Sequence, residues 1–236
     1  MNTVDIFGVR IHPLTIAELH HFFVEVIDNN QRALVLNVNV YGLNLANEQP
    51  WLRDVLNQAE IVFCDGAGVM LGARLLGQHI PERVTYADWF WGLGEIAETK
   101  GYSLYFLGAK PGVAQKAAGK MPDRFPRLRI VGTHDGYFDK TSGSAVNEAI
   151  IREINNLSPD ILIVGLGMPL QERWLYDNWD SLNAHIGLTA GGFFDILSGE
   201  LRRPPRWMTD NSLEWLGRLF IEPKRLWRRY IIGNPQ

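Results

Sequence analysis

The chain has 236 residues, of which 46% are hydrophobic and 21% charged, so it is long and apolar enough to bury a sizeable core. This composition excludes a largely disordered chain. The first residues lack the basic and apolar pattern of a secretory signal, and no apolar run approaches the roughly 20 residues that cross a bilayer, so we expect a cytoplasmic protein without a membrane span.

The net charge of −3 is distributed unevenly. Residues 201–236 contain eight Lys or Arg against three Asp or Glu, a local charge of +5, which leaves −8 on residues 1–200. A basic segment that also carries Trp207, Trp215 and Trp227 suits an anionic partner such as phosphate groups or acidic lipid headgroups. It has too few lysines and too much apolar surface for a nucleic-acid site, so we expect no nucleic-acid partner.

Short apolar runs alternate with amphipathic stretches over residues 1–200. After Pro13, the pattern Thr15-x-x-Glu18 is a capping box and predicts the start of a helix. The alternation predicts an α/β fold, a Rossmann-like, doubly wound and mostly parallel sheet. The predicted strands are 33–38, 61–64, 103–107, 129–133, 161–164 and 186–189.

The strand pattern ends near Gly199, where the basic, proline-broken segment 202–206 begins. Two helices are predicted beyond it, at about 212–221 and 223–231, with apolar residues on one side and arginines on the others. We therefore expect an α/β core over residues 1–200 and a small helical, basic and amphipathic C-terminal appendage over residues 201–236.

Three predicted strands end in glycine-rich turns, at 108–112, 165–169 and 191–195. Parallel sheets bind ligands at the carboxyl ends of their strands, and glycine lets backbone N–H groups approach phosphates. Each turn alone is explained equally well by the ordinary use of glycine in αβ connections. Together they predict a nucleotide site, although the dinucleotide fingerprint G-x-G-x-x-G and the phosphate loop G-x-x-x-x-G-K-[ST] are both missing from the sequence.

Polar residues lie at the ends of two other predicted strands, 33–38 and 61–64. Asp65 comes directly after the strand 61–64 and before Gly66, so it should stand at the mouth of the sheet. Asn37 and Asn39, at the end of the preceding strand, should lie beside it. The structural alternatives are a turn or helix-capping aspartate and two turn-forming asparagines.

Metal ligands are not indicated by the sequence. It contains no D-x-D, the six histidines lack ligand spacing, and Cys64 is the single cysteine, which we expect to be a small buried residue. We therefore predict neither a metal nor a cofactor. A transferase that releases a diphosphate would need another positive charge, and the C-terminal arginines can supply it because guanidinium groups pair with phosphate oxygens.

An ordered set of motifs over nearly the whole chain resembles the WecG/TagA/CpsF glycosyltransferases. The matching segments are Asp65-Gly66-x-Gly68, Glu82-Arg83-Val84 with Asp88, Gly108-x-Lys110-Pro111-Gly112, Thr133-His134-Asp135-Gly136-Tyr137-Phe138, Gly165-Leu166-Gly167-Met168-Pro169-x-Gln171-Glu172, Gly191-Gly192-x-Phe194-Asp195, Arg203-x-Pro205-Arg206-Trp207-Met208, Glu214-Trp215-Leu216 and Glu222-Pro223-x-Arg225-Leu226-x-Arg228-Arg229-Tyr230.

The resemblance implies an inverting, metal-independent glycosyltransferase. Its donor would be a UDP-sugar of the N-acetylmannosamine or glucose type, and its acceptor a polyprenyl-diphosphate-linked saccharide in teichoic acid, other cell-envelope or exopolysaccharide synthesis. The protein would sit peripherally on the inner face of the plasma membrane, at an anionic surface. The alternative hypothesis is a non-catalytic scaffold that binds a nucleotide-sugar. The presence of Asp65 together with the arginine set favours the enzyme. A homo-oligomer is compatible with either hypothesis.

The resemblance also assigns roles to residues. Asp65 would be the catalytic base, and Asn37, Gln171 and Arg83 would complete the catalytic group. Tyr137 and Asp195 match positions at the uracil end of the donor, and Gln171 also matches a position near the sugar or diphosphate. The predicted nucleotide-sugar site further contains Asn39, Gly108, Lys110, Gly112, Gly167 and Met168. The appendage arginines that would engage the diphosphate are Arg218, Arg225 and Arg228.

The chain departs from the family pattern at two of these motifs. Asn37 stands where threonine is usual, and Leu170 stands where lysine is usual. Asn37 keeps hydrogen-bonding capacity with a different geometry, and Leu170 removes a cation. We expect these changes to affect the identity of the donor sugar or acceptor more than the type of reaction.

Overall fold

The computed structural model describes residues 2–210 and 213–227. An antiparallel hairpin that the sequence analysis did not predict comes first, formed by β1 (Val4–Ile6) and β2 (Val9–Ile11). Phe7 and Gly8 connect the strands, with φ of 52° and 79°, the positive values that a two-residue type I′ turn requires. The hairpin packs its valines and isoleucines against one face of the main sheet.

The main sheet has six parallel strands, which lie side by side in the order 61–64, 33–38, 186–189, 161–165, 103–108 and 129–134. The first five are buried and mostly apolar because helices cover both faces, whereas 129–134 lies at one edge of the sheet and is only half-buried. The observed bounds confirm the predicted strands to within one residue at each end. They are β3 (Ala33–Val38), β4 (Ile61–Cys64), β5 (Ser103–Gly108), β6 (Arg129–His134), β7 (Ile161–Gly165) and β8 (Ile186–Thr189).

Helices cover both faces of the sheet, which confirms the doubly wound α/β prediction. One face is covered by α1 (Ile16–Asp28), α5 (Tyr86–Lys100), α6 (Val113–Lys120) and α9 (Phe193–Ser198). The hairpin shares the other face with α2 (Val40–Glu48), α3 (Pro50–Gln58), α4 (Ala67–Leu75), α7 (Ala145–Leu157) and α8 (Leu170–Asn178). Short 3₁₀ turns lie at Met121–Asp123 and Trp179–Ser181.

The predicted capping box starts α1. The Thr15 hydroxyl accepts the Glu18 N–H at 3.2 Å, and the Glu18 carboxylate accepts the Thr15 N–H at 2.8 Å. Two N–H groups that the first helical turn leaves without intrahelical partners are thereby satisfied.

After α9 the described residues form three short helices, α10 (Arg206–Asp210), α11 (Glu214–Ile221) and α12 (Pro223–Trp227). The last two correspond to the predicted appendage helices, although residues 228–231 of the second prediction lie outside the described residues. α10 was not predicted. A Cβ on Gly217 would lie 2.6 Å from the Pro204 side chain, so α11 packs closely on the segment that precedes α10. The division of the chain at residue 200 stays a prediction.

Candidate active site

A cavity of about 360 Å³ opens at the carboxyl edge of β4, β3, β8 and β7. Ligands of open α/β sheets bind at this edge, because strand-to-helix turns present side chains and backbone N–H groups there. The lining residues come from four of these turns, from the start of α5 and from the C-terminal helices. They are Asn37, Asn39, Tyr41, Asp65, Thr85, Tyr86, Ala87, Gly167, Met168, Gln171, Ala190, Gly191, Gly192, Phe193, Ile196, Glu214, Arg218 and Leu226.

Asp65 and Asn37 meet at this edge because β3 and β4 are neighbours. Asn37 pairs with Phe63 in the parallel register, and Asp65, two residues after Phe63, projects to the same face. The Asp65 N–H extends the ladder by donating to the Val38 carbonyl at 2.8 Å. The Asn37 amide Nδ2 donates to Asp65 Oδ2 at 3.2 Å. The structure thus brings these two predicted residues together in the cavity.

Asn39 lies next to them and has a structural role as well. Its side chain caps α2 by accepting the Gly42 N–H at 3.1 Å. A Cβ on Gly42 would lie 2.6 Å from Met168 Sδ, so the missing side chain lets the β7–α8 turn approach α2. Asn39, Gly167 and Met168 therefore line one wall of the cavity.

Gln171 is held by two partners at the start of α8. Its Nε2 donates to Glu172 Oε1 at 2.8 Å, and its Oε1 accepts the Gly191 N–H at 2.9 Å. Glu172 is fully buried, and burial raises the pKa of its carboxyl to about 7. Glu172 Oε2 has no hydrogen-bond partner within the described part of the chain. The sequence analysis quoted Glu172 in a motif and gave it no role.

Tyr86 and Thr189 form the buried floor behind Asn37, and the sequence analysis named neither. The Tyr86 hydroxyl donates to the Thr189 carbonyl. Burial, reinforced by the nearby charges of Asp65 and Glu172, raises the pKa of Tyr86 well above its usual value, so Tyr86 stays a neutral donor. The sequence signal for Thr189 is a polar residue ending an apolar strand.

The C-terminal helices close one side of the cavity through Glu214, Arg218 and Leu226. At the β8–α9 turn, the position of a Cβ on Gly192 is 3.6 Å from Asp195 Oδ2 and 3.8 Å from an Arg218 terminal nitrogen. Asp195 is therefore beside the cavity and close to Arg218, although it is not a lining residue. Arg218 is half-buried, and its Nε has no hydrogen-bond partner among residues 2–210 and 213–227.

Arg83 lies behind this wall, outside the cavity lining. Its Nη2 donates to the Thr209 carbonyl at 3.2 Å, and its Nη1 is 3.9 Å from Glu214 Oε2. Nearby, Arg203 pairs with Asp88 at 2.8 Å. Arg83 therefore joins the segment before α5 to the C-terminal helices.

Four other predicted residues lie farther along the same edge of the sheet, at the ends of β5 and β6. At Gly108 a Cβ would overlap the Gly165 carbonyl, so glycine permits the close approach of β5 to β7. Lys110 and Gly112 are exposed in the β5–α6 turn, and Gly112 has a φ of 81°. Tyr137 is 70% exposed after β6. The structure does not bring these four residues into the cavity lining.

Two appendage arginines cannot be positioned. The Arg225 side chain and the whole of Arg228 lie outside the described residues. Among the described residues, no group of three or more His, Cys, Asp or Glu side chains is arranged to hold a metal ion. Cys64 is buried as expected, and burial raises the pKa of its thiol to about 12, which leaves it unreactive at neutral pH.

A carboxylate and two oriented carboxamides in a polar cavity, at the ligand-binding edge of a Rossmann-like sheet, define an α/β enzyme active site. Residues 4–236 match the model of the glycosyl transferase WecG/TagA/CpsF family. The chain belongs to this family and is a glycosyltransferase, which favours the enzyme over the scaffold hypothesis.

Characterised relatives are similar over most of the chain. The N-acetylglucosaminyldiphosphoundecaprenol N-acetyl-beta-D-mannosaminyltransferase of Bacillus subtilis (strain 168) is 31% identical over 206 residues, which is 87% of this chain and 77% of that protein. The protein of the same name from Bacillus spizizenii is 28% identical over 211 residues, 89% of this chain and 79% of that protein. The protein of this name from Staphylococcus aureus (strain MRSA252) is 26% identical over 229 residues, which is 95% of this chain and 87% of that protein.

Across the portion of the chain that the structure describes, every helix is too short or too polar to span a bilayer.

Proposed function

We propose that the protein transfers a sugar of the N-acetylmannosamine or glucose type from a UDP-sugar to a polyprenyl-diphosphate-linked saccharide, with inversion at the anomeric carbon. The names of the relatives, which specify an undecaprenol-linked N-acetylglucosaminyl diphosphate and an N-acetylmannosaminyl group, support the acceptor class and sugar type. The observation that carries the proposal is Asp65 in the cavity wall, bonded to Asn37 at 3.2 Å.

The mechanism is a direct displacement. Asp65 takes the proton of the acceptor hydroxyl while the hydroxyl oxygen bonds to the anomeric carbon and the bond from that carbon to the UDP oxygen breaks. Arg218 stabilises the negative charge of the departing UDP, with Arg225 and Arg228 contributing from the same appendage. Gln171, a lining residue of the cavity, binds the sugar or diphosphate.

The donor extends along the carboxyl edge of the sheet. Asn39, Gly167 and Met168 border the sugar and diphosphate in the cavity. The uridine continues toward the ends of β5 and β6, with Tyr137 and Asp195 at the uracil end; the exposure of Tyr137 after β6 supports this path. Gly108 at the end of β5 and the exposed Lys110 and Gly112 of the following turn lie on the same path. Arg83 acts indirectly, because its described contacts hold Glu214 and the chain at Thr209.

The protein works peripherally on the inner face of the plasma membrane, where its lipid-linked acceptor is held. Large apolar side chains exposed on the C-terminal helices support this placement, since they can enter the headgroup region beside anionic lipids. They include Trp207, Trp215, Phe220, Ile221 and Trp227.

A panel of UDP-sugars, each mixed with a short-chain N-acetylglucosaminyl-diphosphate-lipid analogue, tests the proposal. We expect UDP release and a lengthened saccharide with one donor of the N-acetylmannosamine or glucose type. Binding of UDP-sugars without turnover on any such acceptor would contradict it and favour a scaffold.

The reaction should proceed without a divalent metal. Arginines, in place of a metal ion, are expected to balance the negative charge of the departing UDP, so activity should survive EDTA. Loss of activity in EDTA with recovery on adding Mg²⁺ or Mn²⁺ would mean that the arginines do not supply the charge.

A further inference from the structure

Asn37 reaches Asp65 with one specific end of its side chain. A carboxamide has an oxygen and an NH₂ of nearly equal shape, and only the NH₂ can donate to a carboxylate. If the amide were rotated by half a turn, Asn37 Oδ1 would face Asp65 Oδ2, and two acceptors would repel each other. Something must therefore select the orientation in which Nδ2 points at Asp65.

The hydroxyl of Thr189 makes this selection through hydrogen bonds of fixed direction. The Asn37 backbone N–H, which can only donate, reaches Thr189 Oγ1 at 3.2 Å. The proton of Thr189 is then directed to Asn37 Oδ1, which accepts it at 2.8 Å. With its oxygen engaged, Asn37 turns Nδ2 toward Asp65. The Asn37 backbone N–H can only donate and the Asp65 carboxylate can only accept, and both require this same orientation of the Asn37 amide.

The arrangement is buried. Thr189 is fully buried and Asn37 is 5% exposed, so the hydrogen bond between their side chains is largely shielded from solvent. The two residues end neighbouring strands, β8 and β3. The Tyr86 hydroxyl also holds the Thr189 carbonyl. Rotation of the Thr189 hydroxyl away from Asn37 would leave the Asn37 Oδ1 acceptor without its donor.

We propose that Thr189 is a positioning residue for the transfer reaction, which sets the orientation of the Asn37 amide and through it holds the Asp65 carboxylate in the direction from which the acceptor hydroxyl arrives. The inference rests on the proposed role of Asp65 as the base. Thr189 does not line the cavity and acts only through Asn37.

Four variants test it: Thr189→Val, Thr189→Ser, Asn37→Ala and the double variant of Thr189→Val with Asn37→Ala. Thr189→Val should lower kcat about tenfold, the rate equivalent of one lost hydrogen bond, while KM for the UDP-sugar stays within about twofold. Thr189→Ser keeps the hydroxyl and should restore most of the rate. The double variant should have a kcat within about twofold of that of Asn37→Ala alone, because Thr189 has no effect once the Asn37 amide is missing.

Ser103→Ala is the matched control. Ser103 is buried in the same sheet, at the amino end of β5 and away from the cavity, and its hydroxyl donates to Asp160 at 2.8 Å. The substitution should reduce thermal stability without changing kcat. Thr189→Ala, which does not crowd the site, replaces the valine variant if the latter does not fold.

The outcomes separate this inference from the proposed function. A normal kcat in folded Thr189→Val or Thr189→Ala, or a full tenfold loss in the Asn37→Ala background as well, would overturn the role of Thr189. Neither result bears on Asp65, whose role as base is overturned separately by normal transfer in Asp65→Asn.

Discussion

The carboxylate of Asp65 is the chemical centre of the proposed reaction, and an isosteric amide at this position separates catalysis from binding. Asp65→Asn should lower transfer about 10²–10⁴-fold, because the amide cannot accept the proton of the acceptor. UDP affinity, measured by calorimetry, should change little. Asp54→Asn, on the exposed side of α3, is the control and should leave both quantities unchanged. Near-normal turnover in Asp65→Asn would remove Asp65 from the role of base.

Buried Glu172 makes stability depend on pH. Its folded pKa of about 7 is above the ordinary 4.5, so between these values the folded state keeps a proton that the unfolded state releases. The stabilising contribution is complete below pH 4.5 and is lost as pH rises through 7. Glu172→Gln lacks this titration. The free energy of unfolding of Glu172→Gln minus that of wild type should therefore rise by about 3 kcal/mol as the pH increases through this window.

Urea unfolding at pH 4.5 and pH 8 measures this difference. Glu95→Gln, on the exposed side of α5, controls for the loss of one negative charge. A difference between Glu172→Gln and wild type that stays constant across the two pH values would show that Glu172 does not titrate between them.

At the scale of elements, the sequence predicted the main sheet well because most of its strands are short, mainly apolar runs bounded by turn residues. The hairpin β1–β2 was missed since its strands have only three residues each. The adjacency of Asn37 and Asp65 followed from consecutive strands. The contact of Asn37 with Thr189 could not be predicted, because 152 residues separate them and only the strand order brings β8 beside β3.

The contacts of Arg83 predict how the C-terminal helices are held. Arg83→Ala removes the bond to the Thr209 carbonyl and leaves Glu214 without its guanidinium neighbour. Hydrogen exchange of the α11 amides should accelerate about tenfold, while exchange in β3 and β8 stays unchanged. Arg74→Ala, an exposed arginine on α4, is the matched control. Unchanged exchange in α11 would mean that Arg83 does not hold this helix.

For the whole molecule, the two proposed roles of residues 201–236 can be separated. A chain truncated after Gly199 should fold, yet neither bind anionic vesicles nor transfer sugar, since it lacks Arg218 and the local charge of +5. Arg225→Ala or Arg228→Ala should lose transfer and keep most vesicle binding, measured by co-sedimentation. Full activity of the truncated core on a soluble acceptor analogue would reduce the segment to an anchor.

The strand order also determines when the sheet can be completed during synthesis of the chain. β8 is the last strand of the sheet to be synthesised, and it lies at the centre, where it provides the described pairing between the β4-β3 pair and the β7-β5-β6 group. Because β8 pairs with both β3 and β7, neither of these strands can gain that partner before residues 186–189 have been synthesised. Insertion of this four-residue strand joins the two groups of strands and brings Thr189 to Asn37, whereas the cavity is complete only after the C-terminal helices with Arg218 have been synthesised.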